Sequence, residues 1–198
     1  TFDDGPKRAN TERILTVLEK YNARATFFMV GKSVDDHSKD LLERMVRDGD
    51  ELGNHTYDHK QLTKLTPEQV EKEIMTTSEN IYKAVGQYPT VMRPPYGDLN
   101  KNIQGQINGL GYPVIIWSLD TLDWKTRNTQ STINAILNNI KDGDVVLMHD
   151  LQDSTPGAVE VVVPELVRRG YQLVTVSELA STRGGLKAGH NYGSFRPK

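Results

Sequence analysis

Asp3 and Asp4, at the start of the chain, and His55 and His59, four residues apart, are the residue types that bind divalent metals. Histidines at i and i+4 are one helical turn apart and can face one ion. A single carboxylate added to such a pair makes a facial triad with open positions for water and substrate, and Asp4 would complete it. Further ionisable residues follow at intervals: Arg93 before Pro94-Pro95, Asp120 and Asp123 before Trp124, and His149 after Val145-Met148. Each has an ordinary reading. Asp-Asp-Gly-Pro is common turn composition, and paired prolines stiffen a loop. A lone spaced histidine pair is often two unrelated residues, Asp123 can be a surface acid beside a core indole, and His149 can be a satisfied core histidine.

What argues against coincidence is where these residues fall. Mostly apolar runs of four to six residues, as expected of strands buried on both faces, occur at Ala25-Val30, Glu51-Asn54, Thr90-Arg93, Val114-Leu119, Val145-Met148 and Leu173-Val176, with Thr1-Asp3 as a stub. Between them lie helical patterns. Ile14, Leu15, Leu18 and Tyr21 form one apolar face, and Leu41, Leu42, Met45 and Val46 another that stops at Gly49. Thr66-Pro67-Glu68-Gln69 opens the clearest helix with a capping box, and Val70, Ile74, Ile81 and Val85 continue it to Gly86. Others are expected around Ile103-Leu110, Ile133-Ile140 and Val159-Val167. Strand and helix alternate throughout, which predicts a parallel α/β sheet. At 198 residues the chain is short for a full eight-fold barrel of about 250, so a shortened, deformed (β/α) barrel is expected. In such a fold the strand ends carrying Asp3-Asp4, His55, Arg93, Asp120 with Asp123, and His149 share one face, where active sites are built.

Composition narrows the function classes. Lys and Arg number 24 against 26 Asp and Glu, so no basic surface invites nucleic acid. There is no cysteine, which excludes disulfides and thiolate metal sites. No apolar run reaches the roughly 18 residues of a membrane-spanning helix, and no signal peptide opens the chain. A single domain over 1–198 is expected, as a monomer, with a basic, glycine-containing tail over 183–198 that reads as a strap or a disordered end. The chain starts at Thr1 without Met and is expected to be a fragment, with the first strand truncated and any signal or anchor upstream. His37 and His190 match no pattern and are expected at the surface.

Taken in order, Thr1-Phe2-Asp3-Asp4-Gly5-Pro6, His55-Thr56-Tyr57-Asp58-His59, Arg93-Pro94-Pro95-Tyr96, Asp120-Thr121-Leu122-Asp123-Trp124 and Leu147-Met148-His149 resemble the five motifs of the NodB-homology polysaccharide deacetylases, carbohydrate esterase family 4. The resemblance runs from residue 1 to about 180. It implies a deformed β/α barrel and metal-dependent removal of acetyl groups from a carbohydrate, usually with zinc. It also implies roles: Asp3 as general base; Asp4, His55 and His59 as metal ligands; Arg93 holding Asp3; the Tyr96 backbone N–H as oxyanion donor; His149 as general acid oriented by Asp123; Trp124 and Leu147 lining the acetyl pocket. Cobalt, nickel or iron also suit an Asp-His-His set.

The substrate expected is acetylated polysaccharide: peptidoglycan first, since Asp123-Trp124 resembles the peptidoglycan-deacetylase form of the fourth motif, and chitin oligomers second. An acetylxylan esterase would use the same site on an easier leaving group. A wall-binding module without catalysis is a third possibility, opposed by the presence of Asp3, Asp4, His55, His59 and His149 together. Such substrates lie outside the cytoplasm, so an extracellular or cell-surface location is expected.

Overall fold

The computed structural model describes residues 1–197. Its centre is an eight-stranded sheet in which every ladder is parallel. In chain order the elements are β1 (Phe2–Asp3), α1 (Arg8–Lys20), β2 (Thr26–Met29), α2 (Lys39–Asp48), β3 (Glu51–Asn54), α3 (Pro67–Val85), β4 (Val91–Met92), α4 (Lys101–Gly109), β5 (Val114–Ile115), β6 (Leu119–Asp120), α5 (Asp123–Thr126), α6 (Thr129–Asn139), β7 (Val146–His149), α7 (Thr155–Arg168), α8 (Val176–Ser181) and β8 (Asn191–Tyr192). Across the sheet the strands run β6-β7-β1-β2-β3-β4-β5-β8, curling into a shortened, incompletely closed barrel.

The middle of β2 shows how the sequence builds two apolar layers. Thr26-Phe27-Phe28-Met29 is buried throughout, because successive side chains point to opposite faces and both faces are covered. Phe27 faces the helices, stacked 5.1 Å from Phe2 and clustered with Ile14, Leu42 and Val159. Phe28 joins the other layer with Val91, Ile115, Val145 and Phe195. Gly53 lies opposite Phe28 in the ladder, and a Cβ there would sit 2.5 Å from the ring. The Phe28 ring in turn carries the Arg93 guanidinium 4.1 Å above it.

Helix α3 begins and ends as its sequence requires. The Thr66 hydroxyl accepts from the Gln69 amide, the Gln69 side chain accepts from the Thr66 amide, and Gly86 closes the helix at φ 72°. Its buried face is not wholly apolar: Glu73, Thr77 and Ser78 are buried beside Val70, Ile74 and Ile81.

Several expected boundaries change. Val114-Leu119 is broken into β5 and β6, with Ile116, Trp117 and Ser118 between them outside either strand. Leu173-Val176 is not a strand. The Leu173 carbonyl accepts one bond from the Arg24 amide, but Thr175 and Glu178 form a capping box that starts α8 at Val176. The last strand is instead β8, in the tail expected to be a strap or disordered. The described part of that tail pairs with β5 and buries Phe195, and Asp144 bridges Ser194 before β7. Lys198, the end of that tail, lies outside the described residues.

Candidate active site

The C-terminal ends of the strands open into a cavity of about 400 Å³ lined by Asp3, Asp4, His55, His59, Tyr96, Trp117, Asp120, Trp124, Leu147 and His149. Eight of these are residues predicted from the motifs. The other two predicted residues, Arg93 and Asp123, stand behind the wall, each fully buried.

The base of the cavity is set by β1, held between β2 and β7. Asp3 ends β1, and its Oδ1 accepts from the Arg93 guanidinium at 2.7 Å. Arg93 also donates to the Thr1 hydroxyl at 2.9 Å and to the carbonyls of Ile115 and Ile116 at 3.1 and 3.0 Å, so the buried cation is held on several sides. Asp4 follows at φ 75°, which turns its carboxylate toward the histidines.

The histidine pair converges by a route other than the helical turn its spacing predicts. Residues 55–59 form a loop in which Thr56 and His59 adopt left-handed φ values of 64° and 57°. The rings nonetheless lie 4.9 Å apart, centroid to centroid. His55 Nδ1 is 2.6 Å from the Arg93 carbonyl, so it carries the proton and donates, leaving Nε2 free to ligate. Among the described residues Asp4, His55 and His59 form a group whose ligand atoms lie within 4.8 Å of one another. Asp4 Oδ1 is buried and makes no hydrogen bond, although His55 Nε2 and His59 Nε2 stand only 3.4 and 3.2 Å away. A buried carboxylate oxygen aimed between two imidazole nitrogens without a donor fits a divalent cation. Burial raises the Asp4 pKa, but His55 and His59 outweigh it and bring it down to about 2. Burial, then His55, holds His59 below its ordinary value, in the neutral form a metal needs.

The opposite wall comes from β7 and α5. Asp123 Oδ1 lies 2.7 Å from His149 Nδ1, and Oδ2 accepts from the His149 amide and the Thr155 hydroxyl, both at 2.7 Å. The Trp124 amide donates to Oδ1 at 2.8 Å. Burial lowers the His149 pKa, yet the hydrogen bond and charge of Asp123 prevail and raise it to about 9. His149 is therefore an imidazolium at neutral pH, its Nε2 the proton that Asp123 does not use.

Tyr96 sits at φ 62° on the turn after Pro94-Pro95, its ring edge-on to His59 at 4.7 Å and 68% exposed. Trp124, half exposed, and buried Leu147 supply apolar surface. Trp117 is the lining residue that the sequence reading missed, and Asp120 is one that it placed on the active face without a role. Trp117 lay within a run read as one unbroken buried strand. Asp120 ends β6, as its position after the apolar run predicts. His37 and His190 are exposed and away from the cavity, as expected.

A family model described as polysaccharide deacetylase matches residues 1–115. The chain is 38% identical over 192 residues to a peptidoglycan-N-acetylglucosamine deacetylase, PgdA, of Listeria monocytogenes, covering 97% of this chain and 40% of that protein. The chain thus spans well under half the length of that curated relative. Among solved structures, one titled T48 deacetylase with substrate superposes at a TM-score of 0.90 with 41% identity, covering 96% of this chain and 93% of the other. A family 4 acetyl xylan esterase from Clostridium thermocellum, in complex with a cobalt ion, superposes at 0.91 with 32% identity over 99% and 97% of the two chains.

Proposed function

This chain belongs to the polysaccharide deacetylase family, and on that footing we propose that it hydrolyses N-acetyl groups on an N-acetylglucosamine polymer, peptidoglycan in the first instance. The observation that carries the reading is the pairing, across one cavity, of an unsatisfied Asp4-His55-His59 cluster with a charged Asp123-His149 couple.

Asp4, His55 and His59 would hold a divalent cation, zinc or cobalt, which supplies a lowered water pKa and polarisation of the acetyl oxygen. Asp3, fixed by Arg93, accepts a proton from the attacking water as its oxygen bonds the acetyl carbon. The carbon–nitrogen bond then breaks, and His149 gives its proton to the departing nitrogen. The products are acetate and a free amine on the sugar. An unactivated amide needs this acid, because an unprotonated amine anion is a very poor leaving group. Negative charge on the acetyl oxygen is met by the Tyr96 backbone N–H. Trp124 and Leu147 shelter the methyl group and exclude water from that side.

The likeness to an acetyl xylan esterase supports a second reading, O-deacetylation of xylan, which needs the same base and less of the acid. The deciding experiment is acetate release from glucosamine oligomers, cell-wall glycan and acetylxylan with the chain loaded with zinc or cobalt. Preferential release from the glucosamine polymers is expected. Release from acetylxylan alone selects the second reading, and none from any substrate overturns both. With a wall polysaccharide as substrate, the protein would act as a monomer outside the cytoplasm. No helix among the described residues is long and apolar enough to cross a membrane.

A further inference from the structure

We propose that Glu73 is a positioning residue that fixes the separation of His55 and His59, and so sets the affinity of the Asp4-His55-His59 cluster for a divalent cation. The proposal rests on the metal-site reading above. Residues 55–59 reverse direction within a few positions by placing Thr56 and His59, neither of them glycine, in the left-handed region. A non-glycine residue in that region is strained and persists only when its surroundings over-determine it. The loop turns the amides of Tyr57 and Asp58 inward, and both donate to one oxygen, Glu73 Oε2, at 2.9 and 2.8 Å. Lys60 Nζ donates to the other oxygen at 3.1 Å. Successive N–H groups converging on an anion form a nest, and bonds to an ionised acceptor are about twice as strong as neutral ones.

Glu73 is only 6% exposed, on the buried face of α3 beside Val70 and Ile74. A glutamate on that face of an amphipathic helix is costly unless its charge is matched. Here the match comes from the two amides between the histidines and from the Lys60 ammonium just after them. The other end of the loop is tied to the same helix. Asn54 Nδ2 donates to the Ile74 carbonyl and Ser78 Oγ, at 2.8 and 2.9 Å, while its Oδ1 accepts from the Thr56 amide at 2.8 Å. Helix α3 is thus a ruler against which both imidazoles are placed, and Glu73 is its contact nearest His59.

The test measures the Co2+ dissociation constant of the chain and of Glu73→Gln, Glu73→Asp and Glu73→Ala by competition with a chelating dye. The visible cobalt spectrum and the metal-free melting temperature are recorded alongside. Loss of an outer-shell partner typically weakens metal binding by 10–100-fold, and that loss is expected for Glu73→Ala. Glu73→Gln keeps an oxygen for the two amides and should lose several-fold. Glu73→Asp keeps the charge but is one methylene short and should fall between them, with an altered cobalt spectrum. A purely structural role would lower the melting temperature and leave the affinity and spectrum of the folded protein as in the parent, and that result overturns the proposal. If Glu73→Ala does not fold, an unchanged affinity in both Glu73→Asp and Glu73→Gln overturns it equally. A parent chain that binds no Co2+ instead overturns the metal-site reading beneath it.

Discussion

The two walls of the cavity treat their carboxylates in opposite ways. Asp123, fully buried, accepts four hydrogen bonds, from the amides of Trp124 and His149, the His149 ring and the Thr155 hydroxyl. Asp4 Oδ1, also buried, accepts none, although two imidazole nitrogens lie within 3.4 Å. A saturated carboxylate locks its neighbour's protonation state. An unsatisfied one costs about 1–3 kcal/mol, more for a charged group, and that cost is relieved by a cation. The contrast assigns the walls different tasks: one keeps a proton ready, and the other is shaped for an ion.

The contrast breaks most visibly in the acidic pair on β1 and just after it. Asp4→Asn should weaken Co2+ binding by more than about 100-fold, beyond what an outer-shell change costs, and abolish acetate release at limiting metal. Asp3→Asn should lower turnover by roughly 10²–10⁴-fold, while titration calorimetry still finds the metal bound. Metal binding lost together with activity in Asp3→Asn would move that residue out of the role of base.

On the other wall, Asp123→Asn should lower kcat/KM by about 10²-fold or more and leave Co2+ affinity intact. It should also move the alkaline limb of the pH–rate profile. In the parent chain His149 keeps its proton up to a pKa of about 9, so activity declines as pH rises through that value. In the variant the limb shifts down toward the ordinary imidazole value. The same couple stabilises the fold. Because the folded pKa lies above the unfolded value of 6.5, the contribution is full below 6.5 and is lost as pH rises through about 9. It amounts to about 3 kcal/mol at most. Melting temperatures of the parent and Asp123→Asn should therefore differ most below pH 6 and differ less above pH 10, where only the bonds from uncharged donors to Asp123 remain. Smallest of the set, Thr155→Val removes one of four bonds to Asp123. It should cost about 1–2 kcal/mol of stability and less than about tenfold in turnover.

Much of this arrangement was legible in the chain because parallel α/β folds gather strand ends on one face. Glu51-Asn54 and the α3 capping box occur where periodicity and cap chemistry place them. Three kinds of feature were not legible. The histidine spacing suggested a helical turn, whereas the loop is set by Glu73, distant in sequence and marked only as a polar residue on an apolar helix face. The run Val114-Leu119 hid a break, because apolar content alone does not distinguish a strand from two short ones flanking a cavity-lining Trp117. Strand β8 escaped notice because a two-residue strand in a polar tail has no period to detect.

That last strand has a consequence for how the molecule meets others of its kind. Without β8, the outer side of β5 would present unpaired amides and carbonyls, a template for strands from neighbouring molecules. The tail instead covers that edge and buries Phe195, whose amide donates to the Gly143 carbonyl at 2.7 Å. A short C-terminal segment thereby caps β5 and leaves a two-residue strand, in place of a core strand, on that edge of the sheet.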